Sequence, residues 1–376
     1  LDAKPIKEYQ RKKGFFKNML ATISLEGKQG KKKVQAIYDY VRKNTQWNES
    51  YGLFPKIKIE EVLEKQPASG VAINLLLCGL LKEAGFEAYP AVISTKSHGQ
   101  VYKPSPLVQQ LNHVICLVVL ERKKIFLDAI DPLCPYYLLP PEDLNESAFI
   151  LEPKYLRWEN INIPRANLQS TTLNLALREN ESGQLVSQGN LISDFIGYYA
   201  LTYRSKYIDQ GKGNFSKAFF QAGQADVLDL KVNHLKELNQ NFRTNFEIQM
   251  SHPASGDLVY LYPLVLQKFQ DNPFNEADRS FPVDFTFPMT DKYYLNYDIP
   301  AEYEVLEIPA PVRLVTPGNG GVFIYNAEVT DKKLHIQFQF QIQKPIFSPE
   351  EYQHLKALFS ELIAKINEPI VIKKKP

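Results

Sequence analysis

Two side chains in the first third of the chain have the types and spacing of an acid–base pair. His113 stands in LNHVI and Asp128 in FLDAI, fifteen residues apart, which suits two adjacent antiparallel strands joined by a turn around Glu121 to Lys123. An imidazole oriented by a carboxylate can take a proton from a nucleophile. The same pair can equally be a satisfied polar contact with no chemical task. What the pair lacks is an obvious nucleophile. Cys78 lies in the apolar run Val71 to Leu81 and reads as a buried small apolar residue. Cys116 follows His113 by an odd number of residues on a strand, so the two side chains should point to opposite faces. Cys134 sits in the proline-flanked turn LCPYY, from which approach to the pair stays open. Ser69, just ahead of the apolar run, has the bland role of helix N-cap, its hydroxyl occupied by a backbone N–H. Its sharper role is that of a displaced catalytic hydroxyl.

The elements that must hold these residues are legible in outline. Lys31 to Asn44 places Val34, Ile37 and Val41 at helical spacing with basic residues opposite. Val71 to Ala84 is apolar nearly all round and so predicts a helix in the middle of a domain, ended by Gly85 in the left-handed conformation. Ala88 to Ser94, His113 to Leu120 and Lys124 to Ala129 read as short strands. Thr95 to Leu111, polar and carrying two prolines, reads as a long loop. One buried helix against a small antiparallel sheet is an α+β domain, taken here as residues 1–155.

Residues 156–376 read as a β-rich region with a C-terminal helix, with a possible internal break near 270. Leu173, Leu175 and Leu177 alternate with polar or small residues, ENESG supplies a turn, and Gln184 to Gly189 returns as a hairpin. A helical stretch over Tyr199 to Tyr207 and Phe215 to Ala225 follows. Strands are expected at Phe242 to Met250, Leu258 to Tyr262, Tyr293 to Ile299 and Leu334 to Ile342. Ser348, Pro349 and Glu351 form a capping box ahead of the stripe Leu355, Phe359, Leu362 and Ile366.

Bulk properties narrow the function classes. A chain of 376 residues with 44 % hydrophobic and 23 % charged residues has the composition of a globular protein of two or three domains. Forty-four basic against forty-two acidic residues argue against a nucleic-acid surface, and the lysine runs at Lys31 to Lys33 and Lys373 to Lys375 read as solvated ends. Three scattered cysteines make neither a disulfide framework nor a zinc site, so no metal and no cofactor is expected. No apolar run is long enough to span a bilayer. The start at Leu1, with no signal-type segment, is read as the trimmed edge of a longer product.

The order helix ending in Ala84–Gly85, then Asn112–His113, then Leu127–Asp128–Ala129 resembles the transglutaminase-like superfamily over residues 31 to 135, a fold shared with papain-like enzymes. In that family a cysteine opens the helix. The resemblance assigns His113 to the general base and Asp128 to its orienting carboxylate, and puts the family cysteine at Gly70, which has no atom that can attack a carbonyl. Cys78, roughly 12 Å further along the helix at about 1.5 Å per residue, cannot replace it. Trp47, in TQWNESYG, resembles the indole that lines the oxyanion side in some relatives, with a core aromatic as the alternative. Asn74, one turn after Gly70, could look into the same cleft or bond a loop carbonyl.

LNLALRENESGQLVSQG, GYYALTYR, NPFNEADRSFPVDF, IPAEYEVLEIP and the C-terminal PEEYQHLKALFSELIAKINEPIVIKKK resemble, in order, the C-terminal part of a bacterial family known mainly from the Bacteroidetes. In that family a DUF3857 domain precedes a transglutaminase-like domain and a DUF3858 domain. The resemblance implies a periplasmic or cell-surface protein. With Gly70 at the nucleophile position it implies a non-catalytic domain that keeps its cleft and the His/Asp pair for a peptide or protein ligand. A cysteine- or serine-type peptidase or acyltransferase using Ser69 or Cys134 is the alternative, and a structural or assembly module a third. Oligomeric state is not legible.

Overall fold

The computed structural model describes residues 6, 12–64, 66–152, 156–220, 225–262 and 271–376. The chain divides into two compact units, Leu1–Ile163 and Pro164–Pro376. The boundary expected near 155 falls outside the described residues. Leu156–Asn160 is a strand paired with Ser147–Leu151, which keeps it in the first unit. The break considered near 270 also lies outside the described residues.

In the first unit, helix α1 spans Lys13–Thr22, α2 Gly30–Asn44 and α3 Gly70–Glu83. Helix α2 buries Val34, Ile37, Tyr38 and Val41 along one face, the stripe that its periodicity predicts. Helix α3 is buried from Gly70 through Leu81, so its lack of a polar face reflects contact on all sides. It ends in a Schellman motif. Gly85, with φ 92°, lets the Phe86 N–H reach Leu81 O at 3.1 Å and the Gly85 N–H reach Lys82 O at 3.1 Å.

Helix α3 lies against an antiparallel sheet of strands β1 (Glu87–Ile93), β2 (His113–Leu120), β3 (Lys123–Leu127), β4 (Ser147–Leu151) and β5 (Leu156–Asn160), in the order β3-β2-β1-β4-β5. Strands β2 and β3 are joined by Glu121 (φ 50°) and Arg122 (φ 66°), the two positive φ values that a tight type I′ hairpin needs. This hairpin sets the register that carries His113 and Asp128. Strands β4 and β5, five residues each, are too short for a period to show in the sequence.

The second unit is built on an eight-stranded sheet. Its order is Val312–Val315, Gly321–Thr330, Lys333–Ile342, Met289–Asp298, Leu168–Glu179, Leu185–Ile196, Phe242–Ser251 and Asp226–Asn233. All neighbours are antiparallel except the central pair Met289–Asp298 and Leu168–Glu179. Leu334, Ile336, Phe338, Phe340 and Ile342 are buried in alternation, as HIQFQFQIQ requires. A four-stranded sheet orders Ala254–Ser255, Leu258–Leu261, Ile370–Lys374 and Tyr303–Glu307.

Among the described residues, two α-helices complete this unit. Tyr198–Phe219 runs as one helix with a break at Gly211, and residues 221–224 of the expected helical stretch lie outside the described residues. Tyr352–Ile366 follows a capping turn in which the Ser348 N–H donates to Glu351 Oε2 at 2.9 Å. It buries Leu355, Phe359, Leu362 and Ile366.

Helix α3 is fixed against α1 by a close approach. A Cβ on Gly79 would lie 2.1 Å from Phe16 Cζ, and Phe16 is itself buried. Gly79→Ala should therefore destabilise the protein by about 1–3 kcal/mol in urea unfolding, the usual range for overpacking a core. Wild-type stability in this variant would mean that α1 is not held on α3.

Candidate functional site

The amino end of α3, the start of β2 and the residue after β3 converge. His113 Nε2 and Asp128 Oδ2 are 2.6 Å apart, and both side chains are 0 % exposed. Asn74, one turn into α3, donates from Nδ2 to Asp128 Oδ1 at 2.7 Å and to Val114 O at 2.9 Å, while its Oδ1 accepts the Ala129 N–H at 3.0 Å. The Ile130 N–H adds a second donor to Asp128 Oδ1 at 3.0 Å. Burial alone would raise the Asp128 pKa; the charge and hydrogen bond of His113, with hydrogen bonds from Asp143 and Asn74, outweigh it and hold the carboxyl below its usual range. Asn74 is thus a buried clamp on helix, strand and carboxylate, and not a residue of the cleft wall.

Asp143, in the turn Pro141–Asp143, is the member that no sequence pattern announces. It is fully buried, and neither of its carboxyl oxygens accepts a hydrogen bond from an N–H or hydroxyl group among the described residues. Burial first, then the charge and hydrogen bond of Asp128 and the charge of Glu142, push its pKa well up. Two carboxyls in one dry site resist ionising together, and the shifts run in opposite directions, Asp128 down and Asp143 up. His113, Asp128 and Asp143 also bring ligand-type atoms within 4.8 Å of one another. However, two donors on one zinc ion stand about 3.4 Å apart at about 2.1 Å from the metal. The 2.6 Å His113–Asp128 separation is that of a shared proton.

The other ring nitrogen marks where a nucleophile would act. His113 Nδ1 is buried without a partner among the described residues. A Cβ built on Gly70 would lie 2.6 Å from His113 Cε1 and 3.1 Å from Nδ1. Position 70 therefore faces the nitrogen that would accept a proton, and the ring already fills the space a side chain there would need. Neither Ser69 nor Cys134 shares a hydrogen bond with His113. Ser69 occupies the N-cap position of α3, but its hydroxyl makes no capping bond, contrary to the sequence expectation; only its carbonyl oxygen serves the helix, accepting from Ala72 and Ile73. The Cys134 thiol donates to Pro135 O and Leu138 O, and burial, with the charge of Asp131 next, raises its pKa well above normal. Cys116 is likewise raised by burial and by its neighbour Cys78. Buried, protonated thiols are unreactive.

The segment after α2 closes the site. The Tyr51 ring stands edge-on to the His113 imidazole at 4.8 Å, and Trp47 packs against Tyr51 at 5.2 Å. Burial, then the charges of Asp143, Asp128 and Glu142, raise the Tyr51 pKa. Two donors beside Gly70 converge on one oxygen: the Gly70 N–H and Trp47 Nε1 reach Ser50 O at 3.0 Å and 3.1 Å. A pair of N–H groups focused on one point next to a base is the arrangement that stabilises an oxyanion, and here the chain's own carbonyl occupies it. What stays open is a groove of about 460 Å³ lined by Thr45, Gln46, Trp47, Glu49, Ile130 and Pro132.

Asp143 gives this site a pH signature. Its folded pKa is raised, so its contribution to stability is complete below the unfolded value near 3.9 and is lost as pH rises towards the folded value, with a slope of about 1.4 kcal/mol per pH unit. Asp143→Asn, which cannot ionise, should lack that slope. Its stability relative to wild type should rise from pH 4 to pH 7 in denaturant titrations. Parallel profiles would show that Asp143 is not held protonated.

Residues 257–372 match a family model described as "Domain of Unknown Function with solved-structure structure (DUF3858)". No curated protein matches the chain. Among solved structures, the chain is similar to a Parabacteroides distasonis protein whose crystal structure is described as that of a "putative protease", with a TM-score of 0.58 at 12 % identity. The match covers 98 % of this chain and 57 % of that one, so this chain spans little more than half the neighbour's length. At that identity the likeness is one of fold, a mixed α+β architecture shared with a protein described as a protease.

Proposed function

We propose that the first unit is a transglutaminase-like domain that carries out no acyl transfer and serves instead to bind an extended peptide or protein segment in the groove beside Trp47. The observation that carries this reading is the chemistry at position 70. The residue facing His113 Nδ1 is a glycine, and a Cβ there would lie 2.6 Å from the ring. Two further facts support it. The oxyanion-type donors are spent on Ser50 O, and His113 is covered by Tyr51 and shut off from solvent. A ligand therefore meets the Trp47 groove and not the imidazole. The family resemblance supports a periplasmic or cell-surface setting for this interaction.

The chain has two tryptophans, Trp47 and Trp158. In a Trp158→Phe background, Trp47 emission should respond saturably to tryptic peptides of β-casein, while no peptide is cleaved above the level of a His113→Ala control. Cleavage that disappears in His113→Ala would overturn the non-catalytic reading. An unresponsive Trp47 would overturn the groove as the binding surface.

A further inference from the structure

The second unit holds a cavity that the proposed function does not use. The helix Tyr198–Phe219 is broken at Gly211, whose φ of 69° and ψ of 168° belong to a region that only glycine enters freely. The break lets both halves of the helix face one concavity of about 560 Å³. Tyr199, Tyr203 and Lys206 come from the first half, and Phe215, Ala218 and Phe219 from the second. Gln169 and Met289, at the starts of the two central strands, and Phe287, just ahead of the second, add to the wall. This size lies within the range of small-molecule sites.

Its chemistry is lopsided. Five aromatic rings and a thioether line it, and the tyrosine hydroxyls are engaged within the protein. Tyr199 OH donates to the buried Asp291 Oδ2 at 2.9 Å, and Tyr203 OH donates to Gln169 Oε1 at 3.4 Å. Tyr203 is held by stacking on Phe195 at 4.0 Å. The cavity thus offers ring surface, with an amide from Gln210 and a hydroxyl from Thr202, the Gln169 amide being held by Tyr203, Thr171 and Tyr293. The single charged side chain of its lining is Lys206, exposed at the rim with Nζ 5.6 Å from the Tyr203 ring centre; no carboxylate lines the cavity among the described residues. An apolar, ring-lined hollow with one cation at its mouth is complementary to an apolar body that ends in one negative charge.

We propose that this cavity binds an amphipathic monoanion, with a planar aromatic body among Tyr203, Phe215 and Phe219 and a carboxylate or sulfonate at Lys206. The probe is 8-anilinonaphthalene-1-sulfonate, titrated by fluorescence against the whole chain at low ionic strength, where surface charge is least screened. One saturable site per chain is expected. Lys206→Glu should weaken it by about fivefold, given the modest strength of exposed ion pairs, and Ala218→Trp should abolish it by filling the hollow. Both residues are exposed, so unfolding midpoints should match wild type, and that match is measured alongside. The uncharged N-phenyl-1-naphthylamine should lose binding in Ala218→Trp and keep it in Lys206→Glu. Unsaturable binding, or wild-type affinity in Ala218→Trp, would overturn the site. Equal loss of the charged and uncharged probes in Lys206→Glu would overturn the assignment of a monoanion.

Discussion

The 2.6 Å contact between His113 and Asp128, shut away from water, is what the first unit is arranged around. A charged or strongly polar group in a dry interior persists only when its remaining valences are met, and the surroundings of Asp128 meet them. Asn74 of α3 and the Ile130 N–H donate to it, and Asp143, whose own pKa is pushed up by burial and by Asp128, stands beside it. Tyr38 of α2 donates to the carbonyls of Asp128 and Cys134 at 2.8 Å and 3.0 Å. Helix α3, strand β2 and the loops that hold Ile130 and Asp143 are thereby tied to one carboxylate, and Tyr38 ties α2 to the backbone of the same residue. Losing one partner of such a buried pair costs about 3–5 kcal/mol, which gives the pair a structural task independent of catalysis.

On the proposed non-catalytic reading, the same contact accounts for an acid–base pair that stands without a reaction. Asp128 holds the imidazole by Nε2, which aims Nδ1 at the amino end of α3. With glycine at 70 the ring and the helix backbone close on each other. The 48–51 segment completes the closure, with Ser50 O on the two convergent N–H groups and Tyr51 over the imidazole. Each of these is an ordinary packing or hydrogen-bonding preference, and together they cover the imidazole and fill the point on which the two N–H groups converge.

Much of this scaffold is legible in the sequence. The all-apolar stretch Val71 to Ala84, Gly85 and the strand His113 to Leu120 fixed the helix, its end and the bearer of the histidine, because each depends on local pattern. Fifteen residues between His113 and Asp128 specified a hairpin. The rest depended on tertiary placement. Asp143 comes from a short proline-led turn with no periodic signal, and Ser50 contributes a backbone carbonyl, which no residue type announces. Tyr51 was within sight, four residues after the singled-out Trp47, but its position over the imidazole follows from how the loop folds back. Ser69 showed the reverse failure: its residue type suits an N-cap, yet its hydroxyl is not used as one.

The His113 ring closes the space that a side chain at position 70 would occupy. A double-mutant cycle on Gly70→Ala and His113→Ala, read by urea unfolding, tests it most directly. Gly70→Ala should cost about 1–3 kcal/mol in the wild type, where the methyl must displace the ring. The cost should be near zero in the His113→Ala background, hence a coupling of similar size. A Gly70→Ala variant as stable as wild type, with no coupling to His113, would mean that the position stands open beside the imidazole and that the ring does not close it.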